Sequence, residues 1–177
     1  MFRACLDRAA AIKLRVDYLG VMGMPDDSSN WSPLETTTHQ EHVIKHVVGA
    51  TVLGWFIAGE AAHLLLDIGF LWTIYLDGAM NLLPQGVAIP ELDADELNGA
   101  DKAALAFDAE LLLNEGREAT GLKRFMAAPI ECLIEAVEIQ GSNSSRRLVI
   151  QGELENLIIE SSIETGEISV GADNRER

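Results

Sequence analysis

The sequence contains few of the cysteines on which disulfide-stabilised proteins depend. Only two of its 177 residues are cysteine, Cys5 and Cys132, and no Cys-x-x-Cys motif is present. Two isolated cysteines do not form the disulfide framework of a small secreted domain. We therefore expect two reduced thiols, with Cys132 buried among apolar neighbours and chemically inert.

Basic residues are also scarce. Lys and Arg together number 13 against 28 Asp and Glu, which gives a formal net charge of −15. Because phosphate backbones and anionic lipids attract cationic surfaces, this balance argues against nucleic acid and against a membrane surface as partners. It favours solubility, and it also favours a basic protein partner or a cation.

Long apolar runs are missing as well. Val47–Gly59 is as long as any stretch without a charged residue or histidine, and a membrane-spanning helix needs about 20 apolar residues. Near the start of the sequence, Arg3, Asp7 and Arg8 interrupt any apolar signal region. These observations predict a cytoplasmic protein that does not enter a membrane.

Motifs of common enzymes are absent too. The sequence has no Gly-x-Ser-x-Gly nucleophile motif and no glycine-rich phosphate loop. Pairs of acidic residues are plentiful, as expected by chance in so acidic a chain, and sequence alone cannot show the cleft that acid–base catalysis requires. We therefore expect a non-catalytic protein that needs no cofactor.

The residues that are present suit one folded domain. Hydrophobic residues make up 48% of the chain and charged residues 23%, which is ordinary for a globular protein. A length of 177 residues is enough for one domain with a substantial core. We predict a single domain over 1–170, followed by a frayed polar tail over 171–177.

Histidine is the most concentrated source of chemistry in the sequence. Three of the four histidines, His39, His42 and His46, fall within eight residues. In a helix this spacing places all three rings within about 60° of arc, and Thr38 with Glu41 forms a possible capping box. Three neutral imidazoles on one face, with a nearby carboxylate, can hold Zn²⁺ or a similar divalent ion.

The same segment also fits a strand. The β-branched residues Val43, Ile44 and Val47 favour extended structure slightly. In a strand, His42 and His46 share a face while His39 points away, and the three histidines are then ordinary solvated side chains. The sequence leaves helix and strand open for residues 39–58.

Apolar segments punctuated by turn residues dominate the region from Val43 to Leu83. Asp77 and Gly78 are typical of a type I′ hairpin between two such segments. Earlier, Phe2–Leu19 predicts a short helix that passes into a strand, and strand patterns return after Pro129. The region from Val43 to Leu83 therefore predicts an antiparallel meander, with a buried helical hairpin as the alternative.

An acidic helix is predicted within residues 91–118. Asp93 followed by Glu96, or Asn98 followed by Asp101, can cap its start, and Gly116 is a natural stop. Spacings of three and four connect the apolar residues that are expected to face the sheet, which are Leu97, Ala100, Ala104, Phe107 and Leu111. The fold class that follows is α+β: an antiparallel β-meander sheet of about five to seven strands, packed against one or two α-helices on one face.

Large aromatic residues suggest a surface for association. Trp31, Trp55, Trp72 and Tyr75 are the candidate partner-binding residues, because adjacent rings on a strand point to opposite faces and one of them can remain uncovered. The principal hypothesis is a small protein-binding, adaptor or chaperone-like module that forms a homodimer or binds a partner protein. The alternative is a metal-binding protein or metal-dependent hydrolase that uses His39, His42 and His46.

Overall fold

The protein is a mixed α+β structure with an antiparallel sheet. The computed structural model describes residues 31–75, 80–86, 89, 92 and 97–173. Two α-helices lie within these residues, α1 (Thr38–Val47) and α2 (Gly99–Glu115). The strands are β1 (Ser32–Pro33), β2 (Thr51–Ala58), β3 (Ala61–Leu66), β4 (Phe70–Tyr75), β5 (Leu82–Gly86), β6 (Met126–Gly141), β7 (Ser145–Gly152), β8 (Asn156–Ser162) and β9 (Ile168–Asp173).

The strands follow one another across the sheet almost as they do along the chain. Their order is β5-β4-β3-β2-β6-β7-β8-β9, and all neighbours are antiparallel. The two-residue β1 adds to the far end of β6. The antiparallel α+β class is thus confirmed, with slightly more strands than predicted. Strand β6 joins two halves, because its first part pairs with β2 and its second part with β7.

The two helices pack on opposite faces of the sheet, so the expectation that they share one face is wrong. Val43 and Val47 of α1 join one apolar cluster, whereas Leu105 and Leu112 of α2 join another. The physical reason is visible in β3, whose six residues are all buried. A strand that is apolar on both faces must be covered on both faces.

The hairpin between β4 and β5 has a different register from the predicted one. A two-residue turn at Asp77 and Gly78 pairs Ile74 with Asn81, but the structure pairs Ile74 with Leu82. The Tyr75 N–H donates to the Asn81 carbonyl at 2.8 Å. The predicted turn residues themselves lie outside the described residues. The strand pairing is confirmed, and the connection is longer than the Asp-Gly motif indicates.

Helix α2 begins and ends where the sequence indicates, but its buried stripe is different. Asn98 caps the first turn by accepting the N–H groups of Ala100 and Asp101, both at 2.9 Å. Gly116 stops the helix with a positive φ of 72°. The buried residues of the helix are Leu105, Asp108, Ala109 and Leu112. The buried stripe is shifted by one residue along the sequence from the predicted one. Asp108 interrupts the apolar pattern at these positions, so the sequence did not show that they are buried.

A glycine in β2 allows α2 to approach the sheet closely. A Cβ atom at Gly54 would lie 2.7 Å from Cδ1 of Leu112 and 2.8 Å from the Met126 carbonyl oxygen. The pairing register of β2 also shifts between Val52 and Gly54. Gly54 therefore marks a bulge with close backbone approach, as a glycine inside a strand indicates.

Some sequence-based predictions concern residues at the ends of the chain. The helix and strand predicted over 2–19, and Cys5 with them, lie outside the described residues. Strand β9 includes residues 171–173, which the sequence assigned to a polar tail. Neither helix of the described ranges has the length and apolarity needed to cross a bilayer.

Candidate binding groove on helix α1

The histidine-rich segment is helical, so the strand alternative is contradicted. Thr37, one residue earlier than predicted, caps α1: its Oγ1 accepts the Gln40 N–H at 3.2 Å. In return, the Gln40 Oε1 accepts the Thr37 N–H at 2.8 Å. This reciprocal cap satisfies two of the free N–H groups at the start of the helix. The local cap outweighs the weak strand preference of the valines and isoleucine that follow.

Helix α1 is fixed to the sheet by one apolar side and one buried hydrogen bond. Val43 and Val47 are buried in the core, at spacings that put them on the same side of the helix as Gln40. The Gln40 Nε2 donates to the Met80 carbonyl at 2.8 Å in a buried position. Side chains on α1 therefore project from a firmly held backbone.

Helix α1 and strands β3 and β4 enclose an open, mostly apolar groove of about 280 Å³, here called the histidine groove. The groove is lined by His39, His42, Val43, His46, Val47, Leu66, Phe70 and Trp72. All three clustered histidines thus reach one cavity. They supply its polar wall, and the sheet supplies aromatic and aliphatic groups opposite.

Two of the three histidines meet directly. The Nε2 atoms of His42 and His46 are 3.1 Å apart, within hydrogen-bonding distance. The rings are edge to face, with centroids 4.6 Å apart and an interplanar angle of 78°. Both rings are solvent-exposed. A hydrogen bond at this distance requires one ring with its proton on Nε2 and the other with an Nε2 lone pair.

The structure brings two of the three predicted metal ligands, His42 and His46, into contact with each other. Within the described ranges, no group of three or more His, Cys, Asp or Glu side chains is placed to hold a metal ion. His39 lines the same groove as the pair. A site built from His39, His42 and His46 together therefore stays a prediction.

The fourth histidine lies elsewhere, inside the sheet. His63 of β3 is 4% exposed, its Nδ1 lies 3.0 Å from the Thr73 Oγ1, and its ring stacks on Phe56 at 4.6 Å. Burial lowers the pKa of His63 from its ordinary value of 6.5 to about 4, and the nearby backbone of Ala58 opposes this shift only in part. Within the described part of the chain its Nε2 has no hydrogen-bond partner. His63 is a neutral core residue near pH 7.

The four aromatic residues predicted to bind a partner do not form one surface. Trp55 and Trp72 both register with Leu64, so they lie on one face of the sheet. Tyr75 lies on the opposite face, since it is three positions along β4 from Trp72. Trp31 is half-buried near β1, where the Arg147 guanidinium stacks over its ring at 4.4 Å. Of the four, only Trp72 lines the histidine groove, and it is fully buried.

An exposed phenylalanine that the sequence did not single out stands at the edge of the groove. Phe70 begins β4 and is 46% exposed, and the neighbouring Ile68 in the β3–β4 turn is also exposed. The turn is tied to the segment after α1, because the Asp67 Oδ1 accepts the Thr51 N–H at 2.8 Å. An exposed phenylalanine beside a buried tryptophan extends the apolar floor of the groove to the surface.

Asp108 is a second residue that sequence reasoning missed. It is fully buried on α2, and its Oδ2 accepts the backbone N–H groups of Lys123, Arg124 and Phe125 at 2.8, 2.6 and 2.9 Å. Three converging N–H groups are a typical cradle for an anionic oxygen. Its Oδ1 is buried without a partner in the described part of the chain. Asp108 thus holds residues 123–125, which lead into β6, against α2. This contact lies on the opposite face of the sheet from the groove.

Cys132 is buried in the apolar core, as its sequence context predicts. Burial raises the pKa of its thiol above the ordinary value, against an opposing hydrogen bond with the backbone of Leu157. A protonated, inaccessible thiol is a poor nucleophile and a poor metal ligand. The histidine groove is therefore the better candidate for function.

Comparison with known proteins adds no further assignment. No protein-family model matches the sequence, and neither a curated protein nor a solved structure matches it.

Proposed function

We propose that the protein is a non-catalytic binding module that receives an apolar side chain of a basic partner protein in the histidine groove. The observation that carries the proposal is Phe70, a large apolar ring left 46% exposed beside a fully buried Trp72. A large exposed apolar group at the mouth of a concave apolar site is characteristic of an interaction surface.

The size of the groove supports a side chain as its occupant. Its volume of about 280 Å³ lies at the lower end of the range for small-molecule sites. That space suits one aromatic or branched aliphatic anchor, the kind of group that dominates binding energy at protein interfaces. The histidines on α1 can provide hydrogen bonds to the backbone on either side of such an anchor.

Charge supports a basic partner. The net charge of −15 attracts cationic surfaces from a distance and raises their rate of association. Beside the groove, Asp67 in the β3–β4 turn is exposed and directly follows the groove-lining Leu66. The same charge opposes the close approach of two identical chains. A basic partner is therefore preferred to a second copy.

We place this role in the cytoplasm. The chain has only two cysteines, and the one that the structure describes, Cys132, is a buried free thiol. A free thiol is compatible with a reducing compartment.

A displayed library of random peptides, selected on the purified full chain, tests the proposal. We expect enrichment of peptides with one aromatic or branched aliphatic residue flanked by Lys or Arg. Their affinity should fall with added salt, because exposed charges are screened. Phe70→Ala should weaken binding by about tenfold or more, as for an interface hot spot.

Phe107→Ala is the matched control. Phe107 on α2 is also 46% exposed and lies on the opposite side of the sheet, so its removal should change affinity by less than about threefold. Selected peptides that bind both variants as well as the wild type would contradict the proposal. A wild-type chain that is dimeric in native mass spectrometry, and monomeric after Phe70→Ala, would instead make a second copy the occupant.

A further inference from the structure

The Nε2 atoms of His42 and His46 face each other across one turn of α1, 3.1 Å apart. From this geometry we infer that the two histidines form a binding site for a divalent transition-metal ion such as Zn²⁺. The inference does not depend on the proposed partner protein, because it concerns the isolated chain and a free metal ion.

The separation of the two nitrogens matches a shared metal ion. Histidine nitrogens bind Zn²⁺ at about 2.0–2.1 Å. Two such bonds to nitrogens 3.1 Å apart enclose an angle of roughly 100° at the metal, between the tetrahedral and octahedral values. The pair therefore needs little movement of either nitrogen to bind one ion.

The contact between the rings brings their Nε2 atoms into one region. A hydrogen bond between them directs the proton of one Nε2 at the lone pair of the other. Transfer of that proton to Nδ1 of the same ring, by tautomerisation through solvent, frees a second Nε2 lone pair while the ring stays neutral. A metal ion to one side of the line between the nitrogens can then bind both lone pairs, with no net release of a proton from the neutral rings.

The helix holds this pair in place before any metal arrives. Val43 and Val47 are buried beneath it, and the Gln40 Nε2 is bonded to the Met80 carbonyl. Residues four apart on a helix are neighbours on its surface. Since the backbone is already ordered, metal binding has to fix only the two imidazole rings.

The ligand type and the exposure decide which ions fit. Imidazole suits Zn²⁺, Ni²⁺ and Cu²⁺, whereas Mg²⁺ and Ca²⁺ require oxygen ligands. Both rings are exposed, so water can complete the coordination. The net charge of −15 also raises the local concentration of cations.

Calorimetric titration of the untagged full chain with zinc sulfate, at about pH 7.5 where imidazole is neutral, tests the inference. We expect one Zn²⁺ per chain, and we expect magnesium chloride to give no corresponding binding. Either His42→Ala or His46→Ala should weaken Zn²⁺ binding by about tenfold or more, since even supporting residues around a metal cost that much.

His39→Ala is the matched control, because it removes an imidazole from the same groove but not from the pair. It should change the Zn²⁺ affinity by less than about threefold. Zinc binding that survives in the His42→Ala, His46→Ala double variant would overturn the inference. So would an equal loss with His39→Ala, or the absence of binding to the wild type.

A second measurement needs no variant. In NMR spectra of the side-chain nitrogens of the wild-type protein, Zn²⁺ should shift the Nε2 resonances of His42 and His46. It should leave buried His63 unchanged, since that ring is inside the sheet. Shifts confined to other residues would overturn the assignment.

Discussion

At the scale of single residues, two histidine environments coexist in this chain. His42 and His46 stand in solvent on a helix, whereas His63 lies inside the sheet, stacked on Phe56 and bonded to Thr73. Burial disfavours the charged form of His63, because the protein interior does not solvate an imidazolium ion as water does. The stability of the fold should therefore depend on pH.

Acid should destabilise the fold through His63. Its folded-state pKa of about 4 is below the ordinary value of 6.5, so between these pH values the unfolded chain binds a proton that the native chain does not. The stabilisation is complete above pH 6.5 and is lost as the pH falls toward 4. Between about pH 7.5 and about pH 5, the wild type should lose about 2 kcal/mol more unfolding free energy than His63→Gln.

Urea denaturation of both proteins at the two pH values measures this difference. Glutamine keeps a hydrogen-bonding group near the Thr73 Oγ1 but does not titrate. If the two proteins lost the same free energy on acidification, His63 would not be the buried neutral residue described above.

At the scale of elements, Asp108 shows how one side chain can position a segment. Its Oδ2 gathers three backbone N–H groups before β6. Outside this cradle, Lys123 lies over the Phe107 ring at 4.5 Å, and Arg124 lies 3.5 Å from Asp101. Residues 123–125 therefore contact α2 in three places: the buried hydrogen bonds to Asp108 and the two exposed contacts of Lys123 and Arg124.

Removal of the buried contact should be costly. Asp108→Ala leaves three N–H groups without their acceptor, so we expect the free energy of unfolding to fall by about 3 kcal/mol or more. Glu110→Ala, an exposed acidic residue two positions away on the same helix, should change it by no more than about 0.5 kcal/mol. Urea unfolding of both variants provides the comparison, and similar small effects would contradict the anchoring role.

The elements also show what sequence patterns can and cannot predict. The end of α2 followed from Gly116, and its start from one of the two predicted caps, Asn98 rather than Asp93, because caps are local chemistry. The buried face of the same helix did not follow, since a buried Asp108 resembles a solvent-facing residue until its three donors are known. Similarly, the sequence predicted a shared face for the three clustered histidines only in its helical alternative, and only the tertiary structure could place Phe70 and Trp72 opposite them.

At the scale of the whole molecule, the sheet is covered by a helix on each face, and the two faces differ. One face carries α1 with its open groove, and the other carries α2 packed closely at Gly54. The antiparallel class followed from alternating segments and turn residues. Coverage of both faces was harder to predict, because a short and largely apolar strand such as β3 fits several arrangements.

The most direct test of the central claim is to map where a selected peptide binds the full chain by amide NMR. The account predicts that shifts concentrate around the histidine groove, in Val43, Val47, Phe70 and Trp72, together with the Trp72 indole signal. Shifts concentrated instead on α2, or spread evenly over the sheet, would contradict the claim that the groove on α1 is the binding site.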